Sequence, residues 1–283
     1  MIGFGQQTIY DSLLVNDVYR HFITYIPSIY QQSQATPLVF NLHGRTSNAE
    51  AQMWYGDFRN IADTANFIIV HPQGLLDNTG VTHWNIGQSS VDDIGFLSTL
   101  YQYLLSNYNI DIEKVYSTGM SNGGNMSYLL ACSMNDEFAA IASVTGSMWP
   151  YLIQSICNPS HPTPVLEIHG TSDAIVPYNS ILDGIEYWRN YNNCDLNSIT
   201  TSIPNINLED NSMVEHIVYD NGDNGVTTEI FKIIDGGHSW PGTSFPNGVT
   251  NYDINASLEI WNFFSKYDIN GTVNQSSSIT NYN

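Results

Sequence analysis

The sequence predicts an α/β fold: a mainly parallel central sheet with helices on both faces and an N-terminal antiparallel hairpin. Three observations carry that reading. Short, mostly apolar runs at 37–44, 67–72 and 164–170 end in glycine or proline, as strands buried on both faces do. Segments of helical periodicity alternate with them. Lastly, Val115–Thr118 followed by Gly119-Met120-Ser121-Asn122-Gly123 reads as strand, sharp turn and helix in close succession.

Taken in order, Thr8–Leu14 and Val18–Ile26 form a hairpin turning at Asn16-Asp17, residues that favour tight turns. Pro37–Gly44 is a buried strand, Ala49–Ala65 a helix and Phe67–Pro72 the next strand. Asp92–Tyr108 is an amphipathic helix, with Ile94, Leu97, Leu100, Tyr101, Leu104 and Leu105 at helical spacing. After the turn at Ser121 a helix begins near Gly123, then strands at 138–144 and 164–170 and a helix at 181–192. Residues 195–212 are polar and irregular. Val214–Tyr219 and Thr227–Ile234 alternate as a hairpin around Asn221-Gly222, and a last helix covers Ile254–Tyr267. With 283 residues, 1–269 is read as a single domain and 270–283 as a flexible Ser/Thr/Asn-rich tail or linker. Right-handed crossovers would gather the strand-end loops on one rim, where active sites of open α/β sheets lie.

Charge excludes some partners. Seven basic residues stand against 27 acidic ones, a formal net charge of −20. Such a surface repels nucleic acid and anionic membranes and favours neutral substrates. No apolar run approaches the roughly 18 residues of a membrane span. Of the three cysteines, Cys132 and Cys157 are expected to pair, with Cys194 as competing partner and three buried thiols as the alternative. No signal peptide is visible, and Met1-Ile2-Gly3 reads as a start placed on a mature chain.

Gly119 and Gly123 give the Gly-x-Ser-x-Gly pattern of a nucleophile elbow around Ser121. Alone it could be a glycine-rich turn before a helix. A serine hydroxyl also needs a base, itself oriented by a carboxylate. In the order Ser, acid, His, the strand-end candidates are Asp173 in His169-Gly170-Thr171-Ser172-Asp173 and His238 in Gly236-Gly237-His238-Ser239-Trp240. Each alone reads equally as a turn or loop residue. The rivals are Glu186, inside a predicted helix, and His216, on the late hairpin. The oxyanion donors would be the N–H groups of Asn122 and of Arg45 or Thr46, placed by position alone. His43, His71 and His169 at strand ends raise the possibility of a metal, but no ligand-type spacing supports one. Trp54, Tyr55, Trp84, Trp149 and Trp240 fall in segments near the rim; Tyr55, Trp84 and Trp240 are taken as substrate-binding, as aromatic platforms for flat groups.

The runs Leu42-His43-Gly44, Trp84-Asn85, Val91–Phe96, Gly119–Gly124, His169–Asp173, Val176-Pro177-Tyr178 and Gly237–Gly242 together resemble the polyhydroxybutyrate depolymerase-type esterases of the α/β-hydrolase superfamily. That group includes feruloyl and acetyl-xylan esterases of the first carbohydrate-esterase family. The resemblance covers about 18–267. It implies an α/β-hydrolase fold and a secreted bacterial serine carboxylesterase without cofactor or metal, whose triad is Ser121, Asp173 and His238. Its partner would be a neutral ester substrate, free or polymer-attached, with or without a further C-terminal domain in the full-length protein. The low basic content and the loop Arg45-Thr46-Ser47-Asn48 depart from the pattern, so feruloyl or acetyl esters of polysaccharide and polyesters stand as alternative substrates. A serine peptidase of the prolyl-oligopeptidase kind lacks room here for its propeller, and an inactive binding module would usually have lost a triad member.

Overall fold

A computed structural model describes residues 5–273. It contains a ten-stranded sheet in the order β1-β2-β4-β3-β5-β6-β7-β10-β9-β8. The antiparallel hairpin of β1 (Gln7–Val15) and β2 (Val18–Ile26) opens it, and the Asn16-Asp17 turn has positive φ at both residues (49° and 62°). That is the primed turn whose twist suits a two-residue hairpin. Strands β3 (Thr36–Leu42), β4 (Ile68–Pro72), β5 (Ile110–Met120), β6 (Ala140–Val144), β7 (Val165–Gly170) and β10 (Thr228–Ile234) run parallel through the centre. Antiparallel β9 (Met213–Tyr219) and β8 (Ile199–Ser202) close the far edge. This is an α/β-hydrolase fold.

Burial on both faces follows from side-chain alternation. In β3, Leu38, Phe40 and Leu42 join one core and Val39 the other. The first core packs beneath α3 (Asp93–Asn107), α4 (Asn122–Ser133), α5 (Pro150–Ser155) and α6 (Leu182–Tyr191), through residues such as Phe96, Met126, Leu152 and Trp188. The second lies under α2 (Arg59–Ala65) and α7 (Ala256–Phe264), where Phe67 stacks on Trp261 at 3.9 Å between ring centres.

Four points depart from the sequence reading. The helix expected over 49–65 is two helices, α1 (Ala49–Tyr55) and α2, broken at Gly56-Asp57-Phe58. Asn41 of β3 donates to the Gly56 carbonyl at 2.8 Å, and Asp57 accepts the Arg59 N–H at 2.9 Å, ending one helix and starting the next. Within the stretch read as irregular, Ile199–Ser202 forms the edge strand β8. The short helix α5, with Pro150 in its first turn, was not foreseen. Most of the expected tail lies outside the described residues. Its first part does not: β11 (Tyr267–Asp268) pairs with β12 (Gly271–Thr272).

Cys132 and Cys157 form a disulfide, and Cys194 is a buried free thiol. No described helix is long and apolar enough to cross a membrane.

Candidate active site

The elbow forms where β5 ends against α4. Ser121 sits at φ 54°, ψ −116°, a conformation a non-glycine residue holds only when its surroundings force it. The Ser121 N–H donates to the Val144 carbonyl at 2.8 Å. Helix and strand approach so closely that a Cβ on Gly119 would lie 2.6 Å from the Leu42 carbonyl oxygen. Small residues on both sides of the serine are thus a packing requirement.

Asp173 follows β7 and His238 follows β10. These strands are hydrogen-bonded neighbours, so their end loops meet. His238 Nδ1 lies 2.7 Å from Asp173 Oδ2, while Asp173 Oδ1 accepts the N–H groups of Ile175 (2.8 Å) and Val176 (2.9 Å). Burial alone would raise the Asp173 carboxyl, but the His238 hydrogen bond and these backbone donors outweigh it and hold it below the usual range. The aspartate is therefore ionised and orients the imidazole through Nδ1.

Ser121 and His238 share the wall of an open cavity of about 540 Å³, with Gly44, Arg45, Thr46, Trp54, Tyr55, Met120 and Phe245 among its lining. No hydrogen bond joins Ser121 Oγ to His238 among the described residues. Serine–histidine contacts in empty sites are often long and tighten with substrate. The rivals lie elsewhere. His216 is paired with Glu229 at 2.6 Å and stacked on Phe231, and Glu186 is an exposed residue of α6 facing Arg189.

The two donor candidates on the β3–α1 loop separate here. The Thr46 N–H is taken by the Thr82 carbonyl at 3.0 Å, whereas the Arg45 N–H has no partner among the described residues. The Arg45 side chain turns outward to Asp77 at 2.5 Å. Asn122 has a second task. Its amide accepts the Trp84 N–H at 2.6 Å and donates to the Trp84 carbonyl at 3.1 Å, pinning the 83–85 segment to the elbow.

Two of the expected platforms are not surfaces. Trp84 is 1% exposed, its indole N–H donating to the His43 carbonyl at 2.9 Å. Trp240 is also 1% exposed, packed edge-on against Phe58 and bonded to Ser257. Tyr55 does line the cavity, and its hydroxyl accepts the Trp240 N–H at 3.1 Å. The exposed aromatic rings of the cavity are Trp54 (47%) and Phe245 (56%). Phe245 and its neighbour Asn247 had no motif to mark them.

The strand-end histidines do not converge. Burial lowers His43 to about 4, and its neutral ring accepts the Gly74 N–H at 2.9 Å. His71 is fully buried and pushed down to about 3. His169 lies against Glu167. Among the described residues no group of three His, Cys, Asp or Glu side chains is placed to hold a metal ion.

The family described as "Esterase PHB depolymerase" matches residues 21–159. A probable feruloyl esterase C of Aspergillus niger is 30% identical over 187 residues, 64% of this chain and 64% of that protein. The chain is similar to these esterases over that span. Over a wider span, 258 residues or 91% of this chain, it is 26% identical to the bifunctional acetylxylan esterase/xylanase XynS20E of Neocallimastix patriciarum. The match spans 35% of that relative's length, against 64% and 57% of two Aspergillus feruloyl esterases C. Among solved structures, an acetyl xylan esterase from Aspergillus awamori superposes with a TM-score of 0.66 at 14% identity, covering 91% of this chain and 99% of that one. At that identity the likeness is one of fold. The family match ends before Asp173 and His238, so for those two residues the geometry above is the independent observation.

Proposed function

We propose that the chain is a serine carboxylesterase acting on neutral esters through an acyl-enzyme. The single observation carrying this is the 2.7 Å Asp173–His238 contact opening onto the cavity that also holds Ser121. In this reading Ser121 Oγ attacks the ester carbonyl carbon and gives its proton to His238 Nε2. The carbonyl oxygen becomes an oxyanion facing the N–H groups of Arg45 and Asn122, at the positive end of α4. As the tetrahedral species collapses, the alcohol leaves with the proton from His238. Water, deprotonated by the same imidazole, then releases the acid and restores Ser121.

The cavity walls support a substrate class. Trp54, Tyr55, Met120 and Phe245 offer an apolar flank to an acyl group. Beyond the wall of Trp54, Tyr55 and Phe245 lies a second cavity of about 370 Å³ whose lining includes Asn60, Thr243, Ser244 and Asn255. Those hydroxyl and amide groups suit a hydroxyl-rich alcohol, and the net charge of −20 disfavours anionic acids. We therefore favour feruloyl or acetyl esters of polysaccharide. Polyester cleavage is the second reading, favoured by the exposed rings of Trp54 and Phe245, on which an apolar strand could lie. Export to an oxidising compartment belongs to the proposal too, and the Cys132–Cys157 disulfide supports it.

Ser121→Ala should fold normally and lose essentially all ester hydrolysis, and a fluorophosphonate should label the wild type once, on the Ser121 peptide. Retained hydrolysis in the variant, or labelling elsewhere, would falsify the reading. Parallel assays on methyl ferulate, acetylated xylan and a polyester film decide the substrate class.

A further inference from the structure

Behind the Asp173–His238 pair lies a second one, fully buried. Glu167 and His169 stand two residues apart on β7, on the same side of the strand, and both side chains are inaccessible to solvent. His169 Nδ1 is 2.9 Å from Glu167 Oε1, and Glu167 Oε2 accepts the Tyr128 hydroxyl of α4 at 3.0 Å. On its other side, His169 Nε2 is 2.8 Å from the Val176 carbonyl oxygen and 3.4 Å from Asp173 Oδ2. The Val176 N–H in turn donates to Asp173 Oδ1.

We propose that His169, held by Glu167, is a positioning residue that fixes Asp173 from behind and sets the basicity of His238. This rests on the esterase reading. Both nitrogens of His169 face acceptors, so the ring is arranged to keep both N–H protons. One proton goes to Glu167, and the other binds the 173–176 loop through Val176 while standing against the carboxylate that holds His238. Asp173 Oδ2 thus lies between two imidazoles. Burial works against the charge on His169, but the hydrogen bond and charge of Glu167, with the Val176 carbonyl and Asp173, outweigh it and raise the imidazole.

Burial raises the Glu167 carboxyl as well, opposed by its hydrogen bonds with His169 and Tyr128, and the acceptors facing both His169 nitrogens favour the proton on the ring. The Tyr178 ring sits edge-on at 6.0 Å, and burial raises its phenol to about 12, so it stays neutral. Lys232, opposite His169 on β10, is paired with Glu215 of β9 at 2.9 Å. The Tyr128 phenol, raised by burial, is neutral as well. An imidazolium behind Asp173 opposes a second positive charge across the shared carboxylate, so its loss should move the pH midpoint of kcat/KM upward.

The test compares wild type, Glu167→Gln and His169→Gln, each normalised to the fraction of enzyme titrated by a fluorophosphonate, so that misfolded protein is not counted. Expected are a fall in kcat of about ten- to a hundredfold with KM little changed, and an alkaline shift of about half a unit or more in the kcat/KM midpoint. Glu167→Asp, which retains the carboxylate, should recover part of both effects. Unchanged midpoints in the titratable fraction of both Gln variants would overturn the proposal and leave the pair purely structural. Absence of fluorophosphonate labelling in the folded wild type would instead count against the esterase reading itself. If neither Gln variant folds, Tyr128→Phe keeps the test open. It removes one donor that stabilises the Glu167 carboxylate as partner of the His169 imidazolium, and should shift the midpoint in the same alkaline direction by a smaller amount; an unmoved midpoint there overturns the proposal too.

Discussion

Trp84 shows how a residue beside a site can belong to its frame. Its backbone is clasped by Asn122 and its indole by His43, so Trp84→Ala should destabilise the protein by about 3–5 kcal/mol. Turnover of aryl and acetyl esters should then fall together in the folded fraction. A selective loss on aryl esters would show that the ring contacts substrate. Exposed Trp54 is the residue where selectivity should appear instead: Trp54→Ala should weaken hydroxycinnamoyl esters more than acetates, as measured by the ratio of kcat/KM values. His43 and His71 have a different consequence. Their folded pKa values, about 4 and about 3, lie below the unfolded value near 6.5. Between those limits the unfolded chain binds more protons, so stability is lost as the pH falls below about 6.5. The His43 shift corresponds to about 3 kcal/mol by pH 4. Both His71 nitrogens lack a hydrogen-bond partner among the described residues, so His71→Leu should be neutral or stabilising at pH 7 and flatten that acid limb in urea titrations.

At the scale of elements, the sequence is readable where local chemistry decides and obscure where distant packing does. The first hairpin was marked by Asn16-Asp17, the elbow by its glycines, and α3 by its apolar stripe; that Asp92 caps it rather than opening it is seen in the structure. The order of Ser121, Asp173 and His238 after strand ends identified the proposed triad, because each residue's placement follows from a short turn. The burial of Trp240 could not be read that way: it packs against Phe58 and above Gly56, far earlier in the chain. The same packing explains the break between α1 and α2, whose one local sign was Gly56-Asp57. A Cβ on Gly56 would lie 2.9 Å from the Trp240 ring and 2.8 Å from the Gln52 amide. Gly56→Ala should therefore lower stability by about 1–3 kcal/mol, although alanine favours helix; a more stable variant would show that the break owes nothing to this contact. β8 escaped notice because all four of its residues are exposed, leaving no inside–outside alternation to read.

Across the whole molecule, the disulfide ties the end of α4, the helix begun by the elbow, to the segment after α5, across a sequence separation of 25. Replacing both Cys132 and Cys157 by serine should lower stability by about 3 kcal/mol, read from the denaturant midpoint. A midpoint unchanged from the oxidised protein would mean that the bridge constrains little. The uneven charge acts over the same distances. Added salt should raise the melting temperature by screening repulsion among the 27 acidic side chains.

The strand order has a mechanical consequence. β7 and β10 lie side by side, whereas β5 stands on the far side of β6 from them. The proposed acid and base are thus mounted on one jaw of a caliper and the proposed nucleophile on the other, with β6 as the spine. A small change in the pitch of the sheet would open or close the gap at Ser121 without stretching the Asp173–His238 bond. Substitutions that alter the stiffness of β6, nowhere near substrate, would then retune reactivity through that gap alone.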